Sequence, residues 1–195
     1  MIAADRTALA LLAAGRSTRF GGSKLDADLW GKPLGRHAAD MLATLPFLVR
    51  LAITGDATLD YAAFGYTVVH NPDPARGQAT SLHLAAEHAR AIGAEALLIA
   101  LADMPCITVE HVQHLLDTAN GPDAVVASAD GSAPKPPALF GSAHFAALLA
   151  TEGDQGARDL IRAGRLVAAD PSELIDIDTR EELVRLALKA PSPRP

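Results

Sequence analysis

The chain is short of several things, and each shortage closes off a class of protein. It has one cysteine, Cys106, so no intrachain disulfide framework can form. Aromatic residues make up only 4%, so a core must be built from Ala, Leu, Val and Ile. Positive charge is in deficit: 17 Lys and Arg face 23 Asp and Glu, a formal net charge of -6. That balance argues against a non-specific nucleic-acid binder, yet a local basic loop can still receive a small anion. No apolar run is long enough to span a membrane. The first residues, MIAADRTALALLAAG, lack a basic leader segment and read as a buried strand rather than a signal peptide, so a cytoplasmic location is expected. At 195 residues the chain is expected to form one domain over residues 1–190, with 191–195 as a disordered tail.

What is present is a cationic glycine loop. Residues 11–24 read LLAAGRSTRFGGSK: an apolar run, Gly15, then Arg16, Arg19, the Gly21-Gly22 pair and Lys24. Small residues admit close backbone approach, and three cations at this spacing suit a polyphosphate. The loop fails the P-loop pattern, because Phe20 stands where the second glycine belongs. It fails the dinucleotide fingerprint too, because Gly15 is followed by Arg16-Ser17. It is either a third kind of phosphate loop or an ordinary glycine turn with solvated arginines.

Around it, short apolar runs alternate with amphipathic stretches. Strands are predicted at residues 8–13, 47–54, 66–69, 96–102, 124–128, 138–140, 166–169 and 174–177. Helices are predicted at 34–45, 59–64, 80–92, 109–119, 142–150, 155–163 and 180–189. Pro33 is read as the first helical residue, and Thr108, Ser142, Asp154 and Thr179 as N-caps. Residues 130–137 read as a Gly/Pro-rich loop. This alternation predicts an α/β fold with a parallel twisted sheet, the ALLIALA strand at its centre. Ligands of such sheets bind outside the carboxyl ends of the strands, where the strand order reverses. Asp103 leaves the ALLIALA strand at that end. A carboxylate beside a polyphosphate most naturally holds Mg²⁺. Asp176 and Asp178 alternate on a predicted strand and so share a face; one completes the metal site, or both are solvent-facing charges before a capped helix.

Several other residues read as bland. His111 and His114, one turn apart, lack a third metal ligand at a suitable spacing and read as an exposed helix face. His70 reads as a loop histidine, Cys106 as a packing thiol, Asp26 and Asp28 as solvated, and Lys135 as surface charge. Arg158 at a helix start opposes the helix dipole, which hints at an anionic ligand.

The loop LAAGRSTRFGGSK resembles the signature of the MobA-like nucleotidyltransferases. Gly31-Lys32-Pro33-Leu34 is similar to that family's turn into its first helix. Ala102-Asp103-Met104-Pro105 resembles the family's metal-binding Asp-Met-Pro, and VVHNPDPARGQATSL, GDQGAR and DIDT are similar to segments of its molybdenum cofactor cytidylyltransferase branch. The resemblance implies a Rossmann-like three-layer sandwich. It also implies transfer of CMP from CTP to the phosphate of molybdopterin with Mg²⁺ or Mn²⁺, and contact with a molybdoenzyme or its maturation chaperone. By position it implies that Gly15, Arg19 and Lys24 hold the triphosphate, with Leu12, Ala13, Ala14, Arg16, Ser17, Asn71, Gly77 and Ser81 completing the nucleotide site. Asp103 would bind metal, with Asp176 or Asp178 near the metal and acceptor, and Arg19, Lys24 and Asp103 would carry catalysis. Ala13-Ala14-Gly15 favours the cytidine branch over the guanylyl branch, which shows Ala-Gly-Gly. The chain departs from the branch at Lys135-Pro136-Pro137, where Gly-His-Pro is usual. The acceptor therefore stays open, with guanylyl transfer, another phosphorylated acceptor and a non-catalytic cofactor-binding chaperone as alternatives.

Overall fold

The computed structural model describes residues 1–15, 17–55, 58–131, 133–153 and 157–189. In chain order its elements are β1 (Thr7–Ala13), β2 (Asp28–Leu29), β3 (Lys32–Pro33), α1 (Leu34–Leu42), β4 (Val49–Thr54), β5 (Thr67–His70), α2 (Gln78–Ala91) and β6 (Ala96–Leu101). They continue with α3 (Val109–Thr118), β7 (Val125–Ala129), β8 (Lys135–Gly141), α4 (Phe145–Leu149), α5 (Arg158–Ala163), β9 (Arg165–Ala168) and α6 (Arg180–Ala187). The main sheet has 7 strands in the order β5-β4-β1-β6-β8-β7-β9. β1, β4, β5 and β6 are parallel, β7 and β9 are parallel, and β8 runs against both of its neighbours. The ALLIAL strand is the middle of the sheet, as its continuous apolar run predicts.

The alternation of side chains along β1 builds two cores. Leu9 and Leu11 point to the face covered by α1 (Ala38, Leu42) and α3 (Val112, Leu115). Ala8, Ala10 and Leu12 point to the face covered by α2 (Leu82, Ala86), α4 (Phe145) and α5 (Ile161). The result is a three-layer Rossmann-like α/β sandwich. Among the described residues no helix is long and apolar enough to cross a membrane.

Some local expectations are corrected. Pro33 is not helical: it pairs with Asp28 in a small antiparallel hairpin and precedes α1 in an extended conformation. The two residues between those strands, Trp30 and Gly31, both have positive φ (53 and 79), the conformation a two-residue hairpin turn demands. The segment at residues 61–64 is a 3-10 turn, and Ser142 opens another without a side-chain cap. Asp154 lies outside the described residues. Lys135, Pro136 and Pro137 belong to β8 rather than to a loop. The prolines are tolerated because β6 pairs with β8 only from Ala138 onward and the register with β7 shifts beside Ser128. The caps at Thr108 and Thr179 form as the sequence predicts, the second as a complete capping box with Glu182.

His111 is likewise not on an exposed face; it is buried. Its Nε2 lies 2.7 Å from Ser128 Oγ, which donates to the Pro137 carbonyl at 2.8 Å. Ser128 spends its proton on Pro137, so His111 Nε2–H is the donor. Burial, and secondarily the neighbouring His114, lowers the His111 pKa. The unfolded chain therefore takes up a proton near pH 6.5 that the folded chain resists. This contribution to stability is whole above that pH and is lost as pH falls toward the folded value. Urea unfolding at pH 7.5 and pH 5.5 is expected to show a larger acid loss for the wild type than for His111→Gln; equal losses would remove His111 as the cause.

Candidate active site

β1 and β6 are adjacent, with Leu12 opposite Leu101, so their carboxyl ends deliver the glycine loop and Asp103 side by side. The Ala102 amide donates to the Leu12 carbonyl at 3.1 Å, extending this contact past the strands. The loop then folds on itself. The Ser17 carbonyl, in a residue with φ of 51, accepts from the amides of Phe20 (3.0 Å) and Gly21 (3.2 Å). Phe20 is buried in a separate small core with Leu29, Leu34 and Ile177 and with Leu183 of α6. Arg180, at the start of α6, donates from Nε to the Phe20 carbonyl at 3.1 Å and lies 4.8 Å over its ring. The loop is thus pinned at its tip, and Gly15 and Thr18 face a cavity of about 390 Å³.

Most of the expected nucleotide residues line that cavity: Leu12, Ala13, Ala14 and Gly15 from the end of β1, Lys24 from the end of the glycine loop, Gly77 and Ser81 from the N-terminus of α2, and Asp103. Thr18, Leu25 and Gln78 also line it and were not expected. Ser17, Arg19 and Asn71 are not on its wall, and Arg16 lies outside the described residues. Asn71 is buried behind the wall, its Nδ2 donating to Thr80 Oγ1 and Ser81 Oγ, both at 2.9 Å, and its Oδ1 accepting from the Asp73 amide at 3.0 Å. It fixes Ser81 rather than facing the cavity. A Cβ built on Gly15 would meet no atom of the described residues within 4 Å, its chain neighbours aside. Among the described residues no neighbour requires a glycine there, and the space beside it is open.

The charges are tightly organised. Lys24 Nζ donates to Asp103 Oδ2 at 2.6 Å, to the Ile177 carbonyl at 2.9 Å and to Asp178 Oδ1 at 3.2 Å. Its three donors are thereby used. Asp178 Oδ2 is ion-paired with Arg19 Nη2 at 2.7 Å. Burial alone would lower the Lys24 pKa, but Asp103 and Asp178 overcome it and hold the ammonium above its ordinary value. Burial raises the Asp103 carboxyl above the usual carboxylate range although Lys24 opposes it, and the nearby charge of Asp176 adds to the rise.

The expected strand at residues 174–177 does not form; the chain is irregular there, held by the Ile177 amide donating to the Asp103 carbonyl at 3.1 Å. Asp176 and Asp178 consequently do not act as an alternating pair. Asp178 faces Lys24 and Arg19, while Asp176 lines a second cavity. Among the described residues no group of three His, Cys, Asp or Glu side chains is arranged to hold a metal ion. Asp103, Asp176 and Asp178 are therefore not a ready three-carboxylate site, because the Lys24 ammonium stands between Asp103 and Asp178. Two features still suit a divalent cation. Asp103 Oδ1 is buried without a hydrogen-bond partner among the described residues, and Lys24 Nζ shows that a cation is accommodated between the two carboxylates.

The second cavity, of about 440 Å³, adjoins the first, sharing Gln78 and Leu101 as wall. Its floor is apolar (Ile99, Ala138, Phe140), and its rim carries Lys135, Arg158 and Arg162 with Asp176. Lys135 is not simple surface charge: it is partly buried and ion-paired to Asp130 at 2.7 Å.

Comparison with known proteins identifies the architecture. The MobA-like NTP transferase domain matches residues 9–169. The chain belongs to this family. It is a nucleotidyltransferase, and the family implies a nucleotide substrate. The purine catabolism protein PucB of Bacillus subtilis (strain 168) is 32% identical over 199 residues, spanning 91% of this chain and 95% of that protein. The crystal structure of a Mycobacterium sp. strain JC1 homolog of Mycobacterium tuberculosis Rv0371c superposes with a TM-score of 0.76 at 25% identity, over 94% of this chain and 96% of that one. Molybdopterin-guanine dinucleotide biosynthesis protein A of Archaeoglobus fulgidus shares the fold at a TM-score of 0.63 and 16% identity, over 93% and 97% of the two chains.

In this nucleotidyltransferase the matched segment carries the glycine loop, Asp103 and both cavities' β-strand walls, but it ends at residue 169. Asp176, Asp178 and Arg180 lie beyond it. Arg180 has no signal in the sequence other than its place just after a capped helix start, because its target, Phe20, is 160 residues away.

Proposed function

We propose that this nucleotidyltransferase transfers CMP from CTP to the phosphate of a molybdopterin-type acceptor, releasing pyrophosphate. The observation that carries the reading is the adjacency of two cavities, one bounded by the glycine loop and Asp103, the other apolar below and cationic at its rim. Cytidine is assigned from Ala13-Ala14-Gly15, which resembles the cytidylyl branch.

In this reading Gly15 gives the triphosphate room against the end of β1, and Ala13, Ala14 and Ser81 bound the base. Arg19 and Lys24 neutralise charge on the phosphates as the acceptor oxygen bonds to the α-phosphorus and the bond to the β-phosphate oxygen breaks. Such catalysis is mainly positioning and electrostatics, with little covalent work for the protein. Asp103, with Asp178 or Asp176, would hold Mg²⁺ or Mn²⁺, which when bound neutralises phosphate charge and polarises the phosphate oxygens. In the second cavity Arg158, Arg162 and Lys135 attract the acceptor's anionic group, and the apolar floor takes its ring system.

The Lys135-Pro136-Pro137 departure favours one second reading: the same transfer to a different phosphorylated acceptor. The test is pyrophosphate release with each of the four nucleoside triphosphates, Mg²⁺, and molybdopterin or other phosphorylated acceptors. Release with CTP and molybdopterin alone is expected. Release with GTP would overturn the nucleotide assignment, and release with CTP only on another acceptor would establish the second reading.

A further inference from the structure

We propose that Lys24 is the resident counter-ion of Asp103 and Asp178, and that an incoming nucleoside triphosphate draws Lys24 and Arg19 off these carboxylates, so that a divalent cation binds tightly only after the nucleotide. The proposal rests on the nucleotide reading above and concerns how that site is filled.

Lys24, Arg19, Asp103 and Asp178 form a linked set of two cations and two carboxylates, joined at 2.6, 3.2 and 2.7 Å. With Lys24 in place its ammonium has no donor left for a phosphate, since the Ile177 carbonyl takes the third at 2.9 Å. A lysine meant to meet a triphosphate must therefore leave these partners. A divalent cation approaching Asp103 Oδ2 must also displace the same ammonium, because both need the same oxygen. The two events favour each other. A polyphosphate offers Lys24 and Arg19 richer anionic partners, and their departure leaves two partly buried carboxylates uncompensated, which strongly favours capture of a cation. The reverse order forces a buried ammonium out with no anion to receive it. Asp103 Oδ1, without a partner among the described residues, is buried, so a cation reaches this carboxylate by the side that Lys24 occupies. The lysine stem is flexible enough for such a swing, and Arg19, with its side chain 71% exposed, is free to move with it.

The test uses the full chain and Mn²⁺ as probe, read by electron paramagnetic resonance of free Mn²⁺ and by thermal shift. Without nucleotide, Lys24→Met is expected to bind Mn²⁺ at least tenfold more tightly than the wild type. In EDTA its melting temperature is expected to fall, and Mn²⁺ should restore it. Lys24→Arg, which keeps the charge, should not gain affinity. Equal Mn²⁺ affinity in wild type and Lys24→Met would overturn the proposal. A second arm needs no variant: calorimetry should show CTP binding to the wild type in EDTA. Binding of CTP that appears only when Mn²⁺ is already present would contradict the order. If CTP binds in neither condition the cytidylyl reading falls, and the nucleotide-free Mn²⁺ arm still decides the role of Lys24.

Discussion

Asp103→Asn is expected to lower turnover by about 10³-fold or more while the protein remains folded. The side chain is the first carboxylate past the central strand, and its Oδ1 is one of two buried side-chain polar atoms without a partner among the described residues. An amide keeps the shape but loses the charge that would hold a divalent cation. The fold should survive because Lys24 keeps Asp178 at 3.2 Å and the Ile177 carbonyl at 2.9 Å, and the amide oxygen can still accept from it. Circular dichroism and thermal melting report the first half of the expectation, and initial rates of pyrophosphate release the second. Wild-type turnover in a folded variant would refute the metal assignment; loss of folding would show Asp103 to be chiefly structural.

Gly15→Val is expected to weaken nucleotide binding by about 10- to 100-fold with little change in melting temperature, the roughly 1–3 kcal/mol that overpacking a fitted contact costs. Two kinds of glycine stand in the same loop. Gly21 has φ of 76, so its identity is demanded by the backbone. Gly15 is outside the positive-φ set and a Cβ there touches none of the described residues within 4 Å, so the folded chain is expected to tolerate a larger residue. The valine methyls would project into the cavity that Ala14, Lys24 and Asp103 also line. Calorimetry with CTP and a thermal melt together test this. Unchanged affinity would mean that the triphosphate does not lie against the end of β1.

The parts of this architecture that were legible in the sequence are those set by local pattern. The ALLIAL run is apolar at every position because β6 is covered on both faces, and the middle of the sheet is where such a run must go. Asp103 follows it directly, so the strand and the topology rule together place the carboxylate at the site. Thr108 and Thr179 cap their helices through contacts only three residues long. What was not legible depends on distant partners or on exceptions to propensity. Lys24 is a cation in a glycine loop by sequence, but its charge is spent on residues 79 to 154 positions away. Asp176 and Asp178 read as one face of a strand, whereas the Ile177 amide is committed to the Asp103 carbonyl and the local chain is irregular. The two prolines of β8 read as a loop because proline removes a ladder donor, and they are accommodated only where β6 no longer pairs. His111 reads as solvent-facing because its partner, Ser128, lies 17 residues away on β7.

The central claim is that the glycine loop wraps a triphosphate beside a metal held by Asp103. A crystal soaked with CTP and Mn²⁺, measured at the manganese absorption edge, tests it most directly. The account predicts an anomalous peak within coordination distance of Asp103, the triphosphate against Gly15, and Lys24 turned from Asp103 to the phosphates. A nucleotide seated in the Lys135–Arg158 cavity instead, or manganese bound away from Asp103 with the Lys24–Asp103 pair intact, would contradict it.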